Sequence, residues 1–140
     1  AKHEKRGTNK RLKSNYSFNM LILTNVIVCL VAVLHFYFLI LEMFLWTKPA
    51  GLRAFRQSLE KAQASKVLAA NQGLYNGFLT VGLLWGVCHP SAEFGLQIKI
   101  FFLLCVVAAG VFGAYSVSRR ILYVQALPAF VGLALLFLFR

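Results

Sequence analysis

The sequence predicts an all-α membrane protein: four transmembrane helices in a compact bundle, residues 20–140, behind a basic N-terminal tail, residues 1–19. Three observations carry that prediction. The 140 residues are 59% hydrophobic and only 14% charged, where soluble domains are about a quarter charged, and the mean hydropathy is +0.69. The apolar residues gather into four runs, each near the roughly 20 residues that a bilayer-crossing helix needs. The net charge of +11 collects mainly in the tail and in the first connection between runs.

The tail carries Lys2, Lys5, Arg6, Lys10, Arg11 and Lys13 against Glu4. Next to a membrane, such a segment is expected to contact anionic lipid headgroups and an acidic surface on other membrane protein subunits. Nucleic acid is not an expected partner, because the basic residues are not interleaved with aromatics on any folded platform. The first apolar run, Met20 to Trp46, is longer than the core of a cleavable signal, and no small-x-small site follows it, so it reads as a permanent span.

The first connection holds Lys48, Arg53, Arg56, Lys61 and Lys66 against Glu60. Within it Leu52, Phe55, Leu59 and Ala62 recur at helical spacing, which fits a short surface helix over 51–62, and fits a loose loop equally. The second run, Val67 to Cys88, contains two small-xxx-small pairs, Gly73 with Gly77 and Gly82 with Gly86. The pairs are nine residues apart; at about 100° per residue they fall on opposite faces, so neighbours are expected to pack closely on both sides. Phe94 to Val117 and Ile121 to Phe139 complete the set. None of the runs alternates as barrel strands do, and a chain in hydrocarbon that is not a barrel satisfies its backbone as helix.

Basic residues do not orient the chain. Four spans place the six of the tail with Lys99 and Arg140 on one side, and the five of the first connection with Arg119 and Arg120 on the other. The positive-inside rule is nearly balanced.

Polar residues inside the runs are the candidates for function, since ionisable groups within spans normally face the bundle interior. Counting back from Trp46 at about 1.5 Å per residue, Glu42 lies roughly 6 Å deep and His35 roughly 16 Å. Counting inward from Lys66, Asn71 and Gln72 lie roughly 8 to 9 Å deep, and Tyr75 and Asn76 roughly 14 to 15 Å. The depths match, and the fourth run enters from the same face with Arg119, Arg120 and Gln125. These nine residues are expected to form a polar network or pocket in one half of the membrane. Helix–helix glue is an equal reading of the same residues.

Classical chemistry is absent as a pattern. No HExxH, P-loop, dinucleotide fingerprint or Ser/His/Asp set occurs, and the four acidic residues, Glu4, Glu42, Glu60 and Glu93, put one carboxylate inside a run, so paired-carboxylate catalysis is excluded and no catalytic residue is assigned. Cys29, Cys88 and Cys105 have no metal spacing and read as small hydrophobes. No metal or cofactor is expected; axial ligation of a haem or chlorin by His35 is the one chemical alternative a buried histidine offers.

His35, "LEMFLW" at 41–46, Pro49, "KVLAANQGLYNGF" at 66–78 and "GLLWG" at 82–86 together resemble an uncharacterised family of small bacterial integral membrane proteins, known as a domain of unknown function. The resemblance covers roughly residues 25–140 and implies four spans in a bacterial inner membrane. A fainter similarity runs to the glutathione-using membrane enzymes of eicosanoid metabolism, which have four helices and an Asn- and Glu-bearing second span. It rests on Asn76; Tyr75 stands where the acidic residue would be, and Arg119 and Arg120 are the only candidates to hold a glutathione carboxylate. The expected function is therefore an accessory or interaction subunit of a larger membrane assembly. A carrier of a small molecule or proton through the polar half is the first alternative, and a glutathione-type enzyme the second.

Overall fold

The computed structural model describes the backbone of residues 2–139 and the side chains of residues 18–139. Every element among the described residues is helical: α1, Lys2–Met43; α2, Pro49–Phe55; α3, Leu59–Cys88; α4, Ala92–Ser116; a π-helical segment, Leu122–Ala126; and α5, Leu127–Leu138. The lipid or partner contacts expected of Lys2, Lys5, Arg6, Lys10, Arg11 and Lys13 involve side chains outside the described residues.

α1 packs on α3, α3 on α4, α4 on the π-helical segment and α5, and α5 returns to α1, which closes a four-helix ring. Its core is contributed by all four walls: Val28, Val31 and Ala32 from α1, Leu83 from α3, Leu103 and Val106 from α4, and Ala129, Leu133 and Leu136 from α5. Outside that core the surface is unusually greasy. Phe101, Phe112, Phe130, Val67 and Leu68 are all more than half exposed, a distribution suited to lipid and not to water.

Two helices are long and apolar enough to cross a membrane, Phe18–Met43 and Ala92–Ser116. The four expected spans are thus reduced to two by this measure, for separate physical reasons. α3 has 30 residues, ample length, but Asn71, Gln72, Asn76 and its glycines dilute its hydropathy. The last run, Leu122–Leu138, is strongly apolar but short.

The first connection is more structured than a loop and shorter than the helix expected over 51–62. Pro49 occupies the first turn of α2, where its missing N–H costs nothing. Arg56 then adopts left-handed geometry, φ 51° and ψ 46°, and closes the helix. Ser58 caps α3, its side chain accepting from the Lys61 N–H at 3.3 Å, so α3 begins eight residues before the predicted Val67. Trp46 pins this corner: its ring lies 4.6 Å from that of Phe55, and its indole N–H donates to Ser65 Oγ at 3.1 Å. Ser58→Ala is expected to cost about 1 kcal/mol, read as a lower unfolding midpoint in detergent.

The π-helical segment has an evident cause in Pro128. Proline lacks the N–H that would bond the carbonyl four residues back, and its ring crowds that carbonyl. The chain widens by one residue before it, with the Leu127 N–H reaching Leu122 O, five residues away.

Candidate functional site

The buried faces explain which polar residues meet. On α3 the buried positions include Ala69, Gly73, Asn76, Thr80 and Leu83, a stripe at helical spacing. Gly73 and Gly77 sit against α1, since an added Cβ would lie 2.6 Å from Met43 Cγ and 2.8 Å from Leu39 Cδ1 respectively. Gly82 and Gly86 sit against α4, with Phe102 and Lys99 as their neighbours. The absence of side chains at Gly73 and Gly77 lets α3 approach Glu42 closely.

Asn76 Nδ2 donates to Glu42 Oε2 at 2.7 Å and also to the Gln72 carbonyl at 3.3 Å, so both amide hydrogens are engaged. Glu42 and Asn76 are 8% and 5% exposed. One turn further into the bundle, Thr80 Oγ1 lies 3.0 Å from the Asn76 carbonyl and 3.2 Å from the Ala32 carbonyl of α1. His35 is fully buried. Its Nδ1 lies 2.8 Å from the Val31 carbonyl and its Nε2 3.3 Å from Gln125 Nε2. A carbonyl only accepts and an amide NH2 only donates, so the consistent assignment is a neutral imidazole that donates from Nδ1 and accepts at Nε2. Axial ligation of a haem or chlorin would use that same Nε2 and would require Gln125 to withdraw.

The arrangement is two pairs on one face of α1, seven residues or about 10 Å apart; Thr80 bonds backbone carbonyls of Asn76 and Ala32 and neither pair's side chains. The whole is not one pocket of nine residues. Asn71 and the Gln72 side chain are exposed, and Tyr75 is 51% exposed, because each is rotated off the stripe that holds Asn76. Arg119 and Arg120 are exposed ahead of the π-helical segment, and neither is an ion-pair or hydrogen-bond partner of Glu42. The Arg cluster that a glutathione carboxylate would require is not assembled beside Asn76. An apolar groove of about 220 Å³, bordered by Val107, Val111, Leu122, Tyr123 and Phe130, opens between α4 and the π-helical segment, and none of His35, Gln125, Glu42 or Asn76 lines it.

Sequence reasoning missed a third buried polar pair. Lys99 is 6% exposed and its Nζ donates to Asn25 Oδ1 at 2.9 Å. The signal was present: Lys99 interrupts "LQIKIFFLLC" and belongs to the stripe Gly95, Lys99, Leu103, Val106 and Gly110 that α4 buries. Thr24, also buried, bonds its own helix at the Met20 carbonyl. Among the described residues no three His, Cys, Asp or Glu side chains converge as a metal site, and the three cysteines are free.

The Glu42–Asn76 bond makes a measurable prediction. Asn76→Leu leaves a buried carboxylate without its donor, whereas Asn76→Leu combined with Glu42→Leu removes both partners. The double variant is expected to recover stability relative to the sum of the singles, with a coupling of about 1 kcal/mol in a double-mutant cycle. Strict additivity would mean the two side chains do not interact.

Comparison with known proteins agrees with the sequence motifs. Residues 29–137 match the family model described as a protein of unknown function, DUF1304. The chain is also similar to the uncharacterized protein YpaA of Lactococcus lactis subsp. lactis (strain IL1403), 32% identical over 119 residues that cover 84% of this chain and 94% of that protein. No solved structure matches. The matched stretch includes both buried pairs around His35 and Glu42, and on this evidence the chain belongs to the DUF1304 family.

Proposed function

We propose that the protein is a multi-pass inner-membrane protein, with α1, α3, α4 and the last helix crossing the bilayer, that takes up and releases protons along the buried face of α1. The observation that carries this reading is the Glu42 carboxylate, buried against the Asn76 amide with no cation bonded to it among the described residues. Ionisable residues inside spans serve proton relays, and a carboxyl can both take up and release a proton. Glu42 stands four residues from Trp46 and the first connection, so it is the entry group. His35, further along the same buried face of α1, is the second group able to hold a proton.

The expected accessory role rests on the tail, whose side-chain contacts lie outside the described residues, and the proton reading stands on its own without it. It is tested in proteoliposomes holding an entrapped pH-sensitive dye, with valinomycin and potassium collapsing the membrane potential. An external acid step should acidify the lumen faster than in protein-free vesicles. Equal rates would sink the proposal.

A further inference from the structure

We propose that the apolar groove between α4 and the π-helical segment seats one acyl chain of an anionic phospholipid, with Arg119 and Arg120 holding its phosphate. The inference shares with proton exchange only the premise that α4 and the last helix cross the bilayer, and it uses none of the buried polar pairs.

The groove has the place and size of a single chain. Val107 and Val111 of α4 form one wall, and Leu122, Tyr123 and Phe130 form the other. Buried Ala126 is the floor, closed from behind by Gly110, where an added Cβ would lie 2.7 Å from Ala126 N. An occupant therefore lies on the outer surface of the bundle, flanked by Val111, Tyr123 and Phe130, all more than half exposed. Tyr123 and Phe130 are seven residues apart, about 10 Å along the helix, and Phe130 lies about 15 Å below Arg120. One leaflet of a hydrocarbon core is also about 15 Å deep, so the groove runs from just beneath the headgroups to the midplane. Two turns of a helix about 10 Å across would need roughly three times the groove's volume of about 220 Å³. A partner helix would rest on the rims; a flexible chain enters.

The charge stands at the mouth. Arg119 and Arg120 precede Tyr123 by four and three residues, one turn, which puts them above the upper end of the groove. Both are exposed, and neither guanidinium has a carboxylate or other hydrogen-bond partner among the described residues. Glu42 is engaged by Asn76, Glu93 begins α4 at the opposite end of the bundle, and Glu60 in the first turn of α3 bonds neither arginine. Guanidinium groups hold phosphate through paired N–H donors. Ser118 accepts from the Arg120 N–H at 3.4 Å, which leaves its own hydroxyl hydrogen for a phosphate oxygen. Tyr123 and Tyr115, the latter four residues beyond Val111 on α4, bring hydroxyls to the same level, where amphipathic rings sit at a membrane interface. Head and tail thus fall in the order a lipid requires, with charge at the mouth and apolar walls beneath it. Free phosphate would leave those walls unused, and a phosphatidylcholine brings with its phosphate a quaternary cation that the two arginines repel.

Thermal unfolding of the full chain in dodecyl maltoside is followed with dilauroyl phosphatidylglycerol, dilauroyl phosphatidylcholine or inorganic phosphate, and bound lipid is counted by native mass spectrometry. Phosphatidylglycerol near saturation should raise the midpoint by about 5 °C; phosphatidylcholine should give a smaller shift and inorganic phosphate none. Arg119→Gln combined with Arg120→Gln, at two exposed positions, should leave the lipid-free midpoint unchanged and lose the phosphatidylglycerol shift. Val111→Trp fills the groove with both arginines intact and should lose it too. Arg53→Gln combined with Arg56→Gln removes two charges from the same end of the bundle and should keep it, which separates the groove from general attraction to a basic surface. Glu42→Gln should also keep it, so loss of proton flux and loss of lipid binding are independent results. The proposal is overturned if phosphatidylcholine or inorganic phosphate matches phosphatidylglycerol, or if either the arginine pair or Val111→Trp retains the shift. It is overturned equally if the lipid-free protein is a dimer that Val111→Trp makes monomeric, which would give the groove to a second copy. Should Val111→Trp fail to fold, Leu127→Trp, which also lines the groove and is half exposed, is read in its place.

Discussion

Proteoliposomes carrying Glu42→Gln are expected to lose acid-driven proton entry by tenfold or more, approaching the leak of protein-free vesicles. An amide cannot take up a proton in this range. Its oxygen still accepts from Asn76, so the variant removes the titration and keeps the 2.7 Å contact. General stability should therefore change little, and the loss should appear in the flux alone. Glu42→Asp keeps a carboxyl but draws it back toward α1 by one methylene, so partial activity is expected. His35→Gln also cannot be protonated; it should lower the flux less if protons reach solvent from Glu42 directly, and as much if His35 is an obligatory second step. A Glu42→Gln protein with undiminished flux would defeat the proton reading, and a Glu42→Gln protein that no longer folds would assign the carboxylate to structure.

Depth was legible in the sequence where direction was not. Counting residues from the first connection brings Glu42 and Asn76 to the same level of the bundle, because rise per residue is nearly constant along a helix. Whether a side chain at that depth points inward depends on rotation, and one residue is about 100°. Tyr75 and Asn76 have almost the same depth, yet Tyr75 is exposed and Asn76 is buried against α1. The two glycine pairs carried the rotational information, because small residues mark where another helix comes close. Gly73 shares its buried stripe with Asn76, and Tyr75 does not. Lys99 was overlooked for the opposite reason. It was counted with the basic residues that set topology, although the apolar run on both sides of it places it within a helix. The widened turn before Pro128 follows from proline's chemistry, but a π-helical segment is one of several ways to relieve that clash, and only neighbouring packing selects among them.

Gly110→Leu should destabilise the bundle by about 3 kcal/mol, at the upper end of what overpacking usually costs. Gly110 lies on the buried stripe of α4, where the π-helical segment comes closest. A Cβ there would lie 2.7 Å from Ala126 N, 2.8 Å from Ala126 Cβ and 3.0 Å from Ala126 Cα. Two of those atoms are backbone, held by the hydrogen bonds of the last helix, so relief requires the two helices to separate. Gly82 offers the informative contrast. Its added Cβ would come closer still, 2.2 Å from Phe102 Cζ, but that atom is the far end of a side chain that can rotate away from α3. Ranking by distance predicts that Gly82→Ala is the worse substitution; ranking by what must move predicts Gly110→Ala. We expect the second order, with Gly110→Ala costing about 2 kcal/mol and Gly82→Ala less than half of that. The apolar groove beside Val107 and Val111 has room for the outer carbons of a leucine but none for its first carbon, so most of the Gly110→Leu penalty should already be present in Gly110→Ala. Unfolding midpoints of the three variants in one detergent decide the matter. A silent Gly110→Ala would mean that the seam between α4 and the last helix has slack, and that its close approach is not what holds the widened turn in position.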